Sequence, residues 1–273
     1  HLTIKSENGS ANCVVQAANS NDHVFCVTVN NVTIKGFTVT GATVHPKAGI
    51  CLYNSNCRIE NVNASNNWDG ISLWSSSNNT IANNTVSNNY NGIYLYHSSN
   101  NTLANNTISS NNIDGISLWS SSNNIIANNI FLLNGMFVYY SYNNKVTNNT
   151  VNGKPLVYLE NVNNYVVENA GQVIAINSSN ITVENLKLSY ASVGVEFWNT
   201  NNSKIINNTI SSNNDYGIYL SYSSNNTLAN NTASSNNWYG IFLWYSSNNT
   251  LANNTISSNN DGGITSGIPA TTP

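Results

Sequence analysis

The chain has 273 residues, and only 8 Lys and Arg and 11 Asp and Glu give it a net charge of −3, so charged residues make up 7% against roughly 25% in an ordinary soluble domain. That balance offers no basic footprint for nucleic acid, and no apolar run approaches the roughly 20 residues that a membrane span needs. About 60 asparagines, with serine and threonine, stand where charges would be and disfavour helix, while 40% hydrophobic residues allow a packed core.

His1 in place of Met reads as the start of a processed or excised chain. The first segment, 1–48, contains short apolar runs of irregular spacing, among them LTIK at 2–5 and VFCVTV at 24–29. From Gly49 a repeat takes over. Glycines 49, 70, 92, 115, 135, 153, 171, 194, 217, 240 and 263 recur every 18–23 residues, each in a short apolar strand such as GISLW at 70–74 or GIYLY at 92–96. Alternation at period two predicts strands with Ile71, Ile93, Ile116, Ile218 and Ile241 in one interior column and Leu73, Leu95, Leu118, Leu220 and Leu243 in the next.

Each repeat continues through Asn/Ser corners into two further short strands, as in SSNNTIAN (76–83) and NTVSNN (84–89). Three strands in about 22 residues are too few for a propeller blade, and no helical limb of a leucine-rich repeat is present. The expected fold is all-β: a single-stranded right-handed parallel β-helix of about 11–12 coils over 1–263, with like residues stacked about 4.8 Å apart. Paired asparagines at fixed offsets from Gly, such as 78/79, 83/84, 100/101 and 105/106, read as corner ladders. The 136–193 stretch predicts distorted middle coils around VNGKPLVYLENV, and 264–273 a Thr/Pro tail.

The iterated NGIYLYHSSNNTLANNTISSNN, with LTIKSENGSANCVVQAANSNDHVF near the start and VNGKPLVYLENVNNYVVENAGQVIAINSSNITVENL in the middle, resembles NosD-like, or carbohydrate-binding and sugar-hydrolase (CASH), β-helix repeats. The resemblance covers nearly the whole chain and implies the fold together with a secreted or surface setting of archaeal type. It is a poor guide to activity, because β-helices serve lyases, hydrolases, epimerases and scaffolds alike.

Candidate chemistry is sparse. A lyase-like site needs a carboxylate cluster for calcium and a basic residue, yet the sole arginine is Arg58 and the lysines are scattered. Asp69 and Asp114 stand before Gly two coils apart, about 9–10 Å by strand spacing, a tolerable separation for an inverting pair, although Asp before Gly is ordinary turn chemistry. The copper suggested by the NosD name wants clustered His, Cys or Met, whereas His1, His23, His45 and His97 are isolated. The expectation is therefore no catalytic residue, no metal and no cofactor.

Cys13, Cys26, Cys51 and Cys57 form no CxxC pattern. Aligning VFCVTV with GICLYN places Cys26 and Cys51 on adjacent strands, and a disulfide between them is the expectation, with free thiols as the alternative. An aromatic stripe four residues after Gly, Tyr53, Trp74, Tyr96, Trp119, Tyr139, Trp198 and Trp244, reads either as a wall-stiffening ladder or as an exposed platform for sugars or another protein. Sixteen sequons mark glycosylation candidates: Asn8, Asn31, Asn63, Asn78, Asn83, Asn100, Asn105, Asn148, Asn177, Asn180, Asn201, Asn207, Asn225, Asn230, Asn248 and Asn253.

The leading expectation is a non-enzymatic extracellular or cell-surface protein, a glycosylated β-helical rod. Its partners are covalent glycans and itself, head to tail through uncapped ends and the 264–273 tail, into a fibre or surface array. The alternative is a carbohydrate-binding or polysaccharide-cleaving protein that uses the aromatic stripe.

Overall fold

A computed structural model describes residues 1–267. Among them there is no helix, and 35 short strands build a parallel β-solenoid of about 11 turns. The last strand, Gly262–Gly267, takes in the first four residues of the segment assigned to the tail; residues 268–273 lie outside the described residues. Contacts divide the chain into two units, His1–Thr150 and one beginning at Val151.

In the first unit each coil contributes one strand to each of three sheets. Thr80–Ala82 pairs with Thr102–Ala104, Thr85–Ser87 with Thr107–Ser109, and Asp69–Trp74 with Asn91–Tyr96, all parallel and in register. The second unit repeats this scheme, for example with Thr227–Ala229 on Thr250–Ala252, Thr232–Ser234 on Thr255–Ser257, and Ile218–Ser221 on Tyr239–Trp244.

Strand pairing in register stacks like on like. Ile50, Ile71, Ile93, Ile116 and Met136 form one buried column of the first unit, and Leu52, Leu73, Leu95, Leu118 and Val138 the next. Ile34, Ile59, Ile81, Leu103 and Ile126, and Val39, Ala64, Val86, Ile108 and Phe131, complete the interior from the other two sheets. Burying each such side chain contributes about 1.5–3 kcal/mol, which makes the stacked interior the main source of stability.

The paired asparagines divide their labour by backbone conformation. The first of each pair is left-handed, with φ of 57° at Asn78, 58° at Asn83, 61° at Asn100 and 57° at Asn105, a region that asparagine tolerates better than other side chains do. That turn points the first amide outward and drives the second inward. Asn79, Asn84, Asn101, Asn106, Asn124 and Asn129 are buried. Each accepts a backbone N–H from the coil before it, as when Asn79 N donates to Asn101 Oδ1 at 2.9 Å and Asn101 N to Asn124 Oδ1 at 2.8 Å. A parallel serine ladder runs from Ser76 N to Ser98 Oγ (3.0 Å) and from Ser98 N to Ser121 Oγ (2.9 Å).

At Gly70 the repeating glycine is demanded by close approach, whereas Gly153, at φ 79° with nothing within 4 Å of a Cβ, serves a turn. A Cβ on Gly70 would lie 2.5 Å from Val86 Cγ1 and 2.7 Å from the Gly92 carbonyl. Gly70→Ala should therefore overpack the coil and cost about 1–3 kcal/mol, seen as a lower denaturation midpoint. An unchanged midpoint would show that the column yields without cost.

Cys26 and Cys51 are Cα partners, as their alignment predicts, but the expected bridge is absent: both are free thiols. In-register parallel strands hold equivalent Cβ vectors side by side at about the 4.8 Å strand spacing, wider than the roughly 3.5–4.5 Å between Cβ atoms that a disulfide takes. Cys51 is buried and Cys26 exposed. Burial, above all, pushes the Cys51 thiol up to about 11.

Candidate functional site

The outer face of the glycine-strand sheet in the first unit gathers the chemistry. Because Ile and Leu of Asp69–Trp74 and Asn91–Tyr96 point inward, the residues between them point out. Register makes one outer column of Cys51, Ser72, Tyr94, Ser117 and Phe137. A second column holds Asp69 and Asn91, with Asp114 in the equivalent place of the next coil. A third, four residues after each glycine, holds Trp74, Tyr96, Trp119 and Tyr139 in register, with Tyr53 at the equivalent position of the coil before.

The aromatic column does not stand free in solvent. Trp74 lies 4.9 Å from Tyr96 and 5.9 Å from Tyr94 between ring centres; Trp119 lies 4.5 Å from Tyr139 and 6.0 Å from Phe137. The rings lean back over the outer column, where Ser72 and Ser117 leave room, and Trp119 Nε1 donates to Ser117 Oγ at 3.0 Å. Only Tyr53, 44% accessible, is exposed, and Trp74, Tyr96, Trp119 and Tyr139 are half-buried.

In the second unit the stripe is broken. Trp198 is 2% accessible, its register partners are Ile176 and Ser221, and Trp244 pairs with Ser221 and Gly267. The stripe is thus a half-buried ladder in the first unit, whereas in the second Trp198 lies 5.5 Å from Tyr222, and Trp244 lies 6.0 Å from Phe242 and 5.3 Å from Tyr245 between ring centres. The physical cause is that aromatic rings on a pleated face gain more by folding onto neighbouring apolar surface than by standing in water.

At the other end of the same strands a second aromatic bank forms. Trp68 and Tyr90 stack at 4.0 Å, and His45 meets Trp68 edge-on at 5.0 Å. Trp68 and Tyr90 are absent from the aromatic stripe counted after each glycine, although both sit two places before a repeat glycine. Tyr94, whose place is the middle of a strand, is absent from it too.

Between the two banks Asp69 is 2% and Asp114 5% accessible. Asn91 Nδ2 donates to Asp69 Oδ1 at 3.0 Å. Burial pushes the Asp69 carboxyl up to about 7, the Asn91 hydrogen bond opposing the rise. The Tyr94 phenol is pushed up as well, first by burial and then by the charges of Asp69, Tyr96 and Asp114. The arrangement therefore offers a carboxyl that takes up and releases a proton near neutrality, a neutral phenol beside it, and apolar ring faces on both sides. A buried carboxyl of perturbed proton affinity beside aromatic ring faces is a candidate site for proton transfer.

Among the described residues no three His, Cys, Asp or Glu side chains converge on a point that would hold a metal ion. His23 Nδ1 accepts from Ala48 N at 3.0 Å, and burial holds its pKa below the usual value. All sixteen sequon asparagines are accessible, thirteen exposed and Asn63, Asn177 and Asn201 half-buried.

A profile of the family described as "Periplasmic copper-binding protein (NosD)" matches residues 3–165 and 156–267. The chain belongs to the NosD family. No curated protein sequence matches it. Among solved structures, the A-module of a mannuronan C-5 epimerase from Azotobacter vinelandii is similar at 15% identity and a TM-score of 0.51, with 98% of this chain and 84% of that one covered. The catalytic unit of a thermostable α-1,3-glucanase from Streptomyces thermodiastaticus is similar at 14% identity and a TM-score of 0.50, with 93% of this chain and 60% of that one covered.

These likenesses establish the fold shared with carbohydrate-active β-helices. They also correct the expectation of a non-enzymatic chain, because solved structures of this fold include an epimerase module and a glucanase catalytic unit. The copper in the family's description finds no matching donor set among the described residues: their histidines do not converge, and copper favours clustered imidazole and sulfur ligands.

Proposed function

We propose that this NosD-family chain acts on a polysaccharide held along the outer face of its first unit. Tyr94 and the Trp74–Tyr96–Trp119–Tyr139 ladder receive sugar rings, and Asp69 exchanges the proton. The observation that carries this reading is the near-neutral Asp69 carboxyl set beside Tyr94 between two aromatic banks. The family's description as periplasmic favours a location outside the cytoplasm, and no helix among the described residues is long and apolar enough to cross a membrane.

Two substitutions separate binding from turnover. Tyr96→Ala with Trp119→Ala removes stacking worth about 0.5–1.5 kcal/mol per ring contact and should weaken polysaccharide binding about 5- to 100-fold in affinity electrophoresis. Asp69→Asn should leave binding intact and abolish the formation of reducing ends, unsaturated products or epimerised residues. A chain that no polysaccharide retards, or an Asp69→Asn variant that turns over like the parent, would refute the assignment.

A second reading, N-linked glycan on the exterior, is favoured by the position of the sequon asparagines on the outside of their corners. Stacked coils are only about 4.8 Å apart, so neighbouring sites in a column would exclude one another. Intact mass of protein from its native source should therefore show fewer glycans than sequons; a mass equal to the bare polypeptide would refute glycosylation.

A further inference from the structure

The second unit carries a cleft of about 200 Å³ whose wall includes Lys154, Lys187, Ser189 and Tyr190, closed by Val151 and Gly171. Residues more than thirty positions apart meet there. Asn152 Nδ2 donates to the carbonyls of Ser189 (2.9 Å) and Tyr190 (3.0 Å), and Lys154 Nζ donates to the Lys187 carbonyl at 3.4 Å. These bonds tie the Gly153 turn to the neighbouring corner and hold the cleft in shape.

Two of the eight basic residues of the whole chain line this one cleft, and no carboxylate does. Among the described residues the ion pairs are those of Glu60 with Lys35 and Arg58, so neither Lys154 nor Lys187 has an acidic partner. Two lysine side chains on the wall of one small concavity, with no carboxylate beside them, make it attractive to an anion.

The lining departs from the repeat where it matters. Lys187 is in register with Thr209, and the following coils carry Thr232 and Thr255 there. Tyr190 occupies a left-handed corner, φ 58°, where Ser212, Ser235 and Ser258 stand in the coils that follow. Serine satisfies that corner in three coils. Tyr190 is 50% accessible and sets an aromatic face at the mouth of the cleft where the following coils carry only a hydroxymethyl group.

We infer that this cleft binds the carboxylate-bearing residue of an acidic saccharide: the two lysines hold the anionic group, and the Tyr190 face receives the sugar ring. The volume suits a single residue of a chain rather than an enclosed ligand. The aromatic ring is what separates an acidic sugar from a bare inorganic anion, which gains nothing from stacking. The inference does not rest on the Asp69 face, because the cleft has its own ligand chemistry and its own probe.

Titration calorimetry with trigalacturonic acid, maltotriose and inorganic phosphate tests it. Trigalacturonic acid should bind, weaken as salt rises, and lose at least 10-fold in affinity with K187T, which restores the residue of the other coils and so preserves the fold. K154R with K187R should retain binding, and Y190S should weaken trigalacturonic acid without changing phosphate. Equal affinity for maltotriose, affinity for phosphate matching that for trigalacturonic acid, or an undiminished K187T would each overturn the assignment.

Discussion

Asn106→Ala should destabilise the first unit by about 3–6 kcal/mol, far more than its size suggests. The Asn106 amide accepts from Asn84 N and Asn84 Nδ2, both at 3.0 Å, and donates to the Ile81 carbonyl at 3.0 Å and to Asn129 Oδ1 at 2.9 Å. Alanine strands the buried Asn84 N, at about 1–3 kcal/mol, and removes three further hydrogen bonds at about 0.5–1.5 kcal/mol each, although Asn84 Nδ2 keeps the Ile59 carbonyl and Asn129 Oδ1 keeps Asn106 N. The neighbouring Asn105 supplies the control, because it is exposed at φ 57° and its side chain is not part of the ladder. Asn105→Ala should cost only the roughly 1–2 kcal/mol of placing alanine in the left-handed region. Denaturant titrations of unglycosylated protein would compare the two. Equal losses would mean that the buried ladder contributes no more than a corner does.

Stability should fall as pH rises from the ordinary carboxylate range through neutrality, and Asp69 should be responsible. Unfolded, its carboxyl titrates near 3.8; folded, it holds its proton up to about 7. Over that interval the folded state binds more protons than the unfolded one. The protonated carboxyl thus gives its full contribution below 3.8, and this is lost progressively as pH climbs to about 7, on the order of 4 kcal/mol in all. Asp69→Asn retains an oxygen to accept the Asn91 amide and carries no titrating proton. It should match the parent at pH 4, exceed it in stability at pH 8, and show a flatter profile between. Parallel profiles for the two proteins would mean that Asp69 does not hold its proton in the fold. The same substitution should remove turnover, so one residue links the proton chemistry of the face to the pH dependence of the molecule.

The Cys26–Cys51 pair shows the limit of register as an argument. Their alignment was legible from two short motifs, because strands that stack in register carry their sequence offsets with them. Bonding was not legible, since it depends on the relative direction of two Cβ vectors, which parallel pairing keeps side by side. The aromatic stripe shows the same division. Its column could be counted from glycine to glycine in the first unit, yet whether the rings stand out or lie down was decided by the Ser72, Tyr94, Ser117 and Phe137 column beneath them.

What the sequence by itself determined is the coil: a glycine every 18–23 residues, inward Ile and Leu at period two, and paired asparagines at fixed offsets, all of them local patterns that a stacked solenoid repeats. What only the tertiary structure decided is the chemistry of its surfaces. Asp69 and Asp114 look like turn residues in the sequence and become buried carboxyls once two aromatic banks close around their strands. Lys154 and Lys187 look scattered and meet in one cleft because a glycine turn carries one of them to the next coil's corner. Burial and proximity between residues distant in sequence are properties of the assembled coil, and they set proton affinity and charge pairing in a way that no local pattern encodes.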